Sequence, residues 1–234
     1  MAGVDRGAPE DPVEVEDRLW QGARDLARDD ECALDVGANQ GQSVGRMLAH
    51  GFAKIAAVEP ADESFHELMH AYSDNPAVLL YNMAISDHDG TLTLAVRSAP
   101  ILTGQLTAVN MPYRGEHAGE PGVANWGGDQ GTREIECWTL DTLTYDLGWS
   151  PDFCKIDTEG HEAEVLRGAT TVLEKDRPRW LIEFHTADRH DECVRILEDA
   201  GYAVDTVRHP HYPPGTYMHE MHGWIKANHE GKPR

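Results

Sequence analysis

No stretch of the chain approaches the ~18 consecutive apolar residues that a membrane-spanning helix requires. The first dozen residues are acidic and rich in Pro and Gly, where a secretory leader would carry an apolar run. A cytoplasmic chain with no membrane attachment is the expectation. Positive charge is scarce as well: 20 Lys and Arg stand against 41 Asp and Glu, a formal net charge of −21. A field of that sign repels phosphate backbones and anionic lipid, because nucleic-acid affinity depends on Lys and Arg displacing counterions. No dense basic cluster offsets it, so nucleic acid is a poor candidate partner. Cysteine is sparse too. Cys32, Cys137, Cys154 and Cys193 are widely spaced and form no Cys-x-x-Cys pair, which predicts reduced, buried thiols rather than disulfides or a zinc site. There is no internal repeat.

Set against these absences is a hydrophobic content of 40% over 234 residues, enough for one sizeable core. Residues 1–12 read as a flexible acidic tail, 13–229 as a single domain and 230–234 as a short tail. Leu19, Trp20, Ala23, Leu26 and Ala27 fall on one face of a helix. The run from Cys32 to Val36 predicts a buried strand entering a turn at Gly37. Val44, Met47 and Leu48 mark a helix that stops at Gly51, and Lys54 to Val58 a second strand. Phe65, Leu68, Met69 and Tyr72 give the next helix its core face, ahead of a third strand from Val78 to Ala84. Strand, helix, strand, helix, strand in this order predicts right-handed parallel crossovers and a doubly wound α/β fold.

An extra strand is predicted from Thr91 to Val96. Residues 97–131 lack periodicity and hold many Gly, Pro and polar residues; a substrate-side loop or lid and a disordered insertion both fit. Order returns at 134–140 and in strands at 153–157 and 180–184. The helix between those two strands turns Val165, Leu166, Ala169, Val172 and Leu173 inward. A helix carrying Cys193, Ile196, Leu197 and Ala200 closes at Gly201. Tyr202 to Val207 and His222 to Ala227 finish the sheet as a terminal pair.

In open α/β sheets, ligands sit beyond the carboxyl ends of the strands, near the place where strand order reverses. After the first strand comes Asp35-Val36-Gly37-Ala38-Asn39-Gln40-Gly41, where Gly37 and Gly41 allow a tight turn and close approach to a ligand. Glu59 ends the second strand, 24 residues beyond Asp35, and could accept two hydrogen bonds from a ribose diol. A nicotinamide fingerprint wants Gly-x-Gly-x-x-Gly, but Asn39 and Gln42 occupy its second and third glycine positions. S-adenosylmethionine has no pyrophosphate and tolerates this loop better, and Asp35 suits a ligand with an amino group. Asn82 and Ala84 could edge an adenine, with Ser86 or Asp87 near its exocyclic amine; a polar strand end satisfied by local backbone explains them equally well.

With Asp35-x-Gly37-x-Asn39-x-Gly41, Glu59-Pro60 and the run from Lys155-Ile156-Asp157-Thr158-Glu159-Gly160-His161-Glu162 to Gly168-Ala169 in view, the chain resembles the FkbM family of methyltransferases. Leu140-Asp141-Thr142-Leu143 and Leu181-Ile182-Glu183-Phe184-His185 fit the same likeness, which runs from about residue 32 to 186. The resemblance implies the class I methyltransferase fold, a mostly parallel, seven-stranded Rossmann-like sheet with an antiparallel terminal strand. It implies S-adenosylmethionine as methyl donor and O-methylation of a small molecule or a sugar or glycan. By the same analogy Asp35, Gly37, Asn39 and Gly41 shape the methionine end, Glu59 holds the ribose, and Asp157 and Glu159 sit beside the transferring methyl.

Methyl transfer to an alcohol needs alignment of the acceptor oxygen and removal of its proton. The strand ends place Asp157, Glu159, Glu183 and His185 on one edge of the sheet. His185 is the preferred base, because an unperturbed imidazole titrates near neutrality; Glu159 is the competing base. Asp157, Glu183 and His185 could instead bind Mg²⁺, which would hold a sugar diol and lower its pKa. Glu162 and Glu164 suit the dipole of the helix they begin, and His161 reads as a solvated helix-start residue. His219-Glu220-Met221-His222 lacks the His-Glu-x-x-His zinc spacing and reads as solvent-facing. Three alternatives remain: N-methylation of protein or nucleic acid, a non-catalytic cofactor-binding module, and a nicotinamide oxidoreductase. Against N-methylation of nucleic acid, Asp157-Thr158-Glu159-Gly160 stands where a proline- and aromatic-rich grip would be expected.

Overall fold

The computed structural model describes residues 17, 19–25, 28–100, 106–112, 129–208 and 222–229. The two expected tails, Leu26 and Ala27 of the first helix, and His209, His211 and His219 lie outside them. In chain order the elements are β1 (Cys32–Val36), α1 (Gln42–His50), β2 (Lys54–Val58), α2 (Asp62–Tyr72), β3 (Val78–Tyr81), β4 (Ala84–Ile85), β5 (Gly90–Pro100) and β6 (Leu106–Pro112). Then follow β7 (Asp129–Trp138), α3 (Leu140–Leu147), β8 (Phe153–Ile156), α4 (Glu162–Arg167), a π-helical turn (Val172–Asp176), β9 (Arg179–Phe184), α5 (Ala187–Asp199), β10 (Ala203–Arg208) and β11 (Gly223–Asn228).

Seven strands form one sheet in the order β10-β11-β9-β8-β1-β2-β3. The pairs β1–β2, β2–β3, β1–β8 and β8–β9 are parallel, and β11 runs antiparallel to both of its neighbours. A strand covered on both faces reads as an apolar run, and its residues alternate between two cores. Leu34, Val36, Ala56, Val58, Cys154 and Ile156 pack on one face, against Leu166 and Leu197. Ala33, Ile55, Ala57 and Phe153 pack on the other, against Leu19, Trp20 and Met47. All four cysteines are buried and free. No helix among the described residues is long and apolar enough to cross a membrane.

Helix ends follow local chemistry. Gly51 stops α1 in the left-handed region and donates to the Leu48 and Met47 carbonyls. Thr139 caps α3 by accepting from Thr142 N–H, and Thr186 caps α5 by accepting from Arg189 N–H.

Three expectations are corrected. The third strand ends at Tyr81; Ala84 and Ile85 leave it and pair with Cys137 and Trp138 of a second sheet, ordered β4-β7-β5-β6. The segment 97–131 is not loop throughout, since it holds the end of β5, all of β6 and the start of β7; residues 101–105 and 113–128 lie outside the described residues. Antiparallel partners satisfy those backbones, so no side-chain period is needed to mark them. The helix expected through Val165 to Leu173 is split at Gly168, where a Cβ would fall 2.0 Å from the Ser86 carbonyl oxygen. Its inward-facing residues are nonetheless all buried.

Candidate active site

β1 and β8 are neighbours, yet the chain continues from β1 toward β2 on one side and from β8 toward β9 on the other. Their carboxyl ends flank the switch point at which an open α/β sheet forms its crevice. A cleft lined by Gly37, Glu59 and Asp157 opens there.

The cleft is built from three turns. Gly37 takes φ +79°, and a Cβ on it would fall 1.8 Å from the Asp157 carbonyl oxygen. The N–H groups of Gly37 and Ala38 both donate to the Val58 carbonyl, at 2.9 and 3.0 Å. Asn39 follows at φ +49°, a left-handed position that Asn tolerates, and its N–H donates to Glu59 Oε2 at 2.9 Å. Ala61 N–H donates to Glu59 Oε1 at 2.8 Å. Glu59 is only 6% exposed, and burial pushes its pKa up against the pull of those two amides. Each carboxylate oxygen retains acceptor capacity, and the side chain lines the cleft.

The other expected cofactor residues divide. Ala84 lines the cleft, with Met83, Ile85, Leu92 and Leu94 adding an apolar wall. Asn82 turns its amide to the Glu59 carbonyl at 3.0 Å. Gly41 meets the side of α2: Tyr72 Oη donates to its carbonyl at 3.0 Å, and a Cβ there would lie 2.3 Å from Tyr72 Cε2. Asp35 is wholly buried, 3.3 Å from Lys155 Nζ. Asn82, Gly41 and Asp35 therefore support the wall from behind. Ser86 is buried and pairs its hydroxyl with His161 Nε2 at 3.0 Å. His161 is not the solvated residue expected: it lines the cleft, and burial pushes its pKa down to about 4.

Asp157, Glu159, Glu183 and His185 do converge. His185 Nδ1 lies 3.1 Å from Glu162 Oε1, and its Nε2 lies 3.7 Å from Asp157 Oδ1 and 3.5 Å from Glu159 Oε2. Burial opposes a charge on the ring, but Glu159, then Glu162 and Asp157, outweigh it and hold the pKa well above the ordinary histidine value. The expectation of an imidazole titrating near neutrality is corrected: the three carboxylates around His185 shift its pKa upward from the ordinary histidine value. Burial, and then Asp157, push Glu183 up to about 8. Burial raises Glu159 too, against the pull of His185. Glu159 sits at φ +56°, strained for a residue with a long side chain, and lines the cleft.

Two features escaped sequence reasoning. Glu162, wholly buried, receives the Gly160 N–H at 2.8 Å and fixes His185 from 23 residues away. His222, expected to face solvent, stands edge-on to His185 with ring centroids 5.4 Å apart. Lys155 carried a visible signal, a charge inside an apolar strand.

A parallel sheet with one antiparallel strand near its edge, and a carboxylate-closed cleft at its switch point, define the class I methyltransferase fold. The Methyltransferase FkbM domain matches residues 35–204, and the chain belongs to that family. The hexuronic acid methyltransferase AglP of Haloferax volcanii is 23% identical over 185 residues, covering 78% of this chain and 67% of AglP. A methyltransferase FkbM structure from Methylobacillus flagellatus superposes with TM-score 0.56 at 15% identity, over 86% of this chain and 45% of that one. A putative methyltransferase from Streptococcus mutans, in complex with SAH, superposes with TM-score 0.52 at 10% identity over 93% and 98% of the two chains. A shorter stretch of 74 residues is 36% identical to the HTH-type transcriptional regulator UlaR of Escherichia coli, spanning 29% of each chain. The chain thus spans less than half of the Methylobacillus protein and under a third of UlaR.

Proposed function

We propose that this chain is an S-adenosylmethionine-dependent O-methyltransferase acting on a hydroxyl of a sugar, glycan or other small molecule. The observation that carries the reading is Glu59. Its buried carboxylate receives one backbone N–H on each oxygen and faces the cleft beside the Gly37 turn. The apolar wall of Met83, Ala84, Ile85, Leu92 and Leu94 suits a purine face. Relatives support the acceptor class: AglP is named for a hexuronic acid.

The donor supplies a methyl already activated on a sulfonium, so the chain's work is alignment and removal of one proton. Glu159 lines the cleft, whereas both nitrogens of His185 already face carboxylates. Glu159 is therefore placed to accept the acceptor's proton as the O–C bond forms; the S–C bond breaks with its electron pair staying on sulfur. His185, held by Glu162, fixes the carboxylates of Asp157 and Glu159. Acceptance of O–H hydrogen bonds by these carboxylates suits hydroxyl acceptors and gives no flat grip for a nucleobase.

A second reading is favoured by one observation. Asp157, Glu183 and His185 bring ligand atoms within 4.8 Å of one another, and Glu162 would orient the imidazole from behind as metal sites require. A divalent cation such as Mg²⁺ held there would chelate a sugar diol and lower its pKa. Mass spectrometry of sugar and metabolite pools incubated with enzyme and S-adenosylmethionine tests the first reading by gain of a methyl mass. Activity surviving exhaustive chelation would dismiss the second.

A further inference from the structure

Lys155 is the one charged residue of β8, whose other three residues are apolar and buried. Its register sets it beside Asp35 on β1. From there Nζ reaches Asp35 Oδ1 and Asp157 Oδ2, each at 3.3 Å, and donates to the Gly37 carbonyl oxygen at 3.1 Å. Gly37 and Asp157 both line the cleft and belong to the turns leaving β1 and β8, the two strands at the switch point. Asp35 is wholly buried with the Lys155 ammonium 3.3 Å from Oδ1, so that ammonium is its counter-charge. A lysine that merely neutralised Asp35 would need no reach to the other two groups.

We propose that Lys155 is a positioning residue whose ammonium staples the β1 turn to the β8 turn, setting the width of the switch-point cleft and the direction of the Asp157 carboxylate. The inference rests on the reading that this cleft holds S-adenosylmethionine. Lys155 sits behind the wall and acts through Gly37 and Asp157. Two carboxylates from two strands are held by one buried cation, and the same cation fixes the carbonyl of the residue that makes the turn. The methyl donor would meet a wall whose two halves cannot separate without breaking this contact.

The test separates positioning from charge balance. Lys155→Met alone leaves the buried Asp35 without a counter-charge and is expected to lose stability. The double variant Asp35→Asn/Lys155→Met removes the buried pair together and is expected to recover thermal stability. Calorimetry with S-adenosylhomocysteine should nevertheless show the double variant weakened by about tenfold, the value of a hydrogen bond to a charged group. Affinity within about twofold of wild type would overturn the proposal. Asp35→Asn alone keeps the staple and should lose less than the double variant; an equal loss would assign the effect to Asp35 and also overturn it. In the wild-type enzyme, the shielded Lys155 ammonium should give a resolved nitrogen-15 resonance that moves when S-adenosylhomocysteine saturates the protein. An unmoved resonance counts against the staple whatever the variants do. Wild-type protein that binds no S-adenosylhomocysteine refutes the cofactor reading itself, whereas normal wild-type binding with an unaffected double variant refutes only the role of Lys155.

Discussion

Asn39, held at φ +49°, donates its backbone N–H to Glu59 across 2.9 Å. The turn that leaves β1 and the carboxylate that closes β2 are thereby one structural unit, because the acid aligns the loop and the loop orients the acid. Glu59→Ala breaks both connections at once. Calorimetry should show S-adenosylhomocysteine affinity reduced by roughly 10- to 100-fold, the range for losing hydrogen bonds to a charged group. The far-ultraviolet circular dichroism spectrum should stay that of the folded protein.

Glu159 and His185 meet at 3.5 Å, and the proposed mechanism gives them different roles. Glu159→Gln removes the proton acceptor and should lower kcat by about 10²- to 10⁴-fold, with cofactor affinity little changed. His185→Gln should lower kcat and also the melting temperature, since it takes away the ring that Asp157, Glu159 and Glu162 share. A His185 variant with unchanged melting temperature would count against that shared contact.

Gly37→Ala places a methyl group 1.8 Å from the Asp157 carbonyl at a backbone angle Ala adopts with difficulty. The two strand ends must part for it to fit. Thermal unfolding should show a loss of more than about 2 kcal/mol, together with loss of cofactor binding. Retention of both would mean the turn is looser than its packing indicates.

His161 provides a pH signature. Burial pushes its pKa down to about 4 in the fold, from an ordinary value of 6.5. The unfolded chain therefore binds the proton more tightly. The stabilisation is present above the unfolded pKa and is lost as pH falls through 6.5 toward 4. The shift corresponds to an order of 3 kcal/mol. Denaturant unfolding of His161→Gln should lose less stability than wild type across that window, and parallel losses would exclude the assignment.

The sequence made the sheet legible where both faces are covered. Cys32–Val36 and Lys54–Val58 read as apolar runs because burial on two sides leaves no polar phase. The second sheet was legible only at Thr91–Val96 and 134–140, and the rest was hidden for the opposite reason. Beyond Val96 the residues follow no period, and pairing with β6 and β7 supplies what the side chains do not announce. The place of Glu59 and Gly37 in the cleft was legible because strand ends mark the open edge of the fold. The upward pKa shift of His185 was not, because Glu162 reaches it from another element. Lys155 was passed over because a charge in a strand normally marks an exposed face, and here it faces Asp35 across the register.

What fills the cleft between Gly37, Glu59 and Asp157 decides the proposed activity. Titration calorimetry of the wild-type protein with S-adenosylhomocysteine, with NAD as control, tests it most directly. One molecule bound per chain, with no heat from NAD, is the expected result. An absence of S-adenosylhomocysteine binding, or equal binding of NAD, would contradict it.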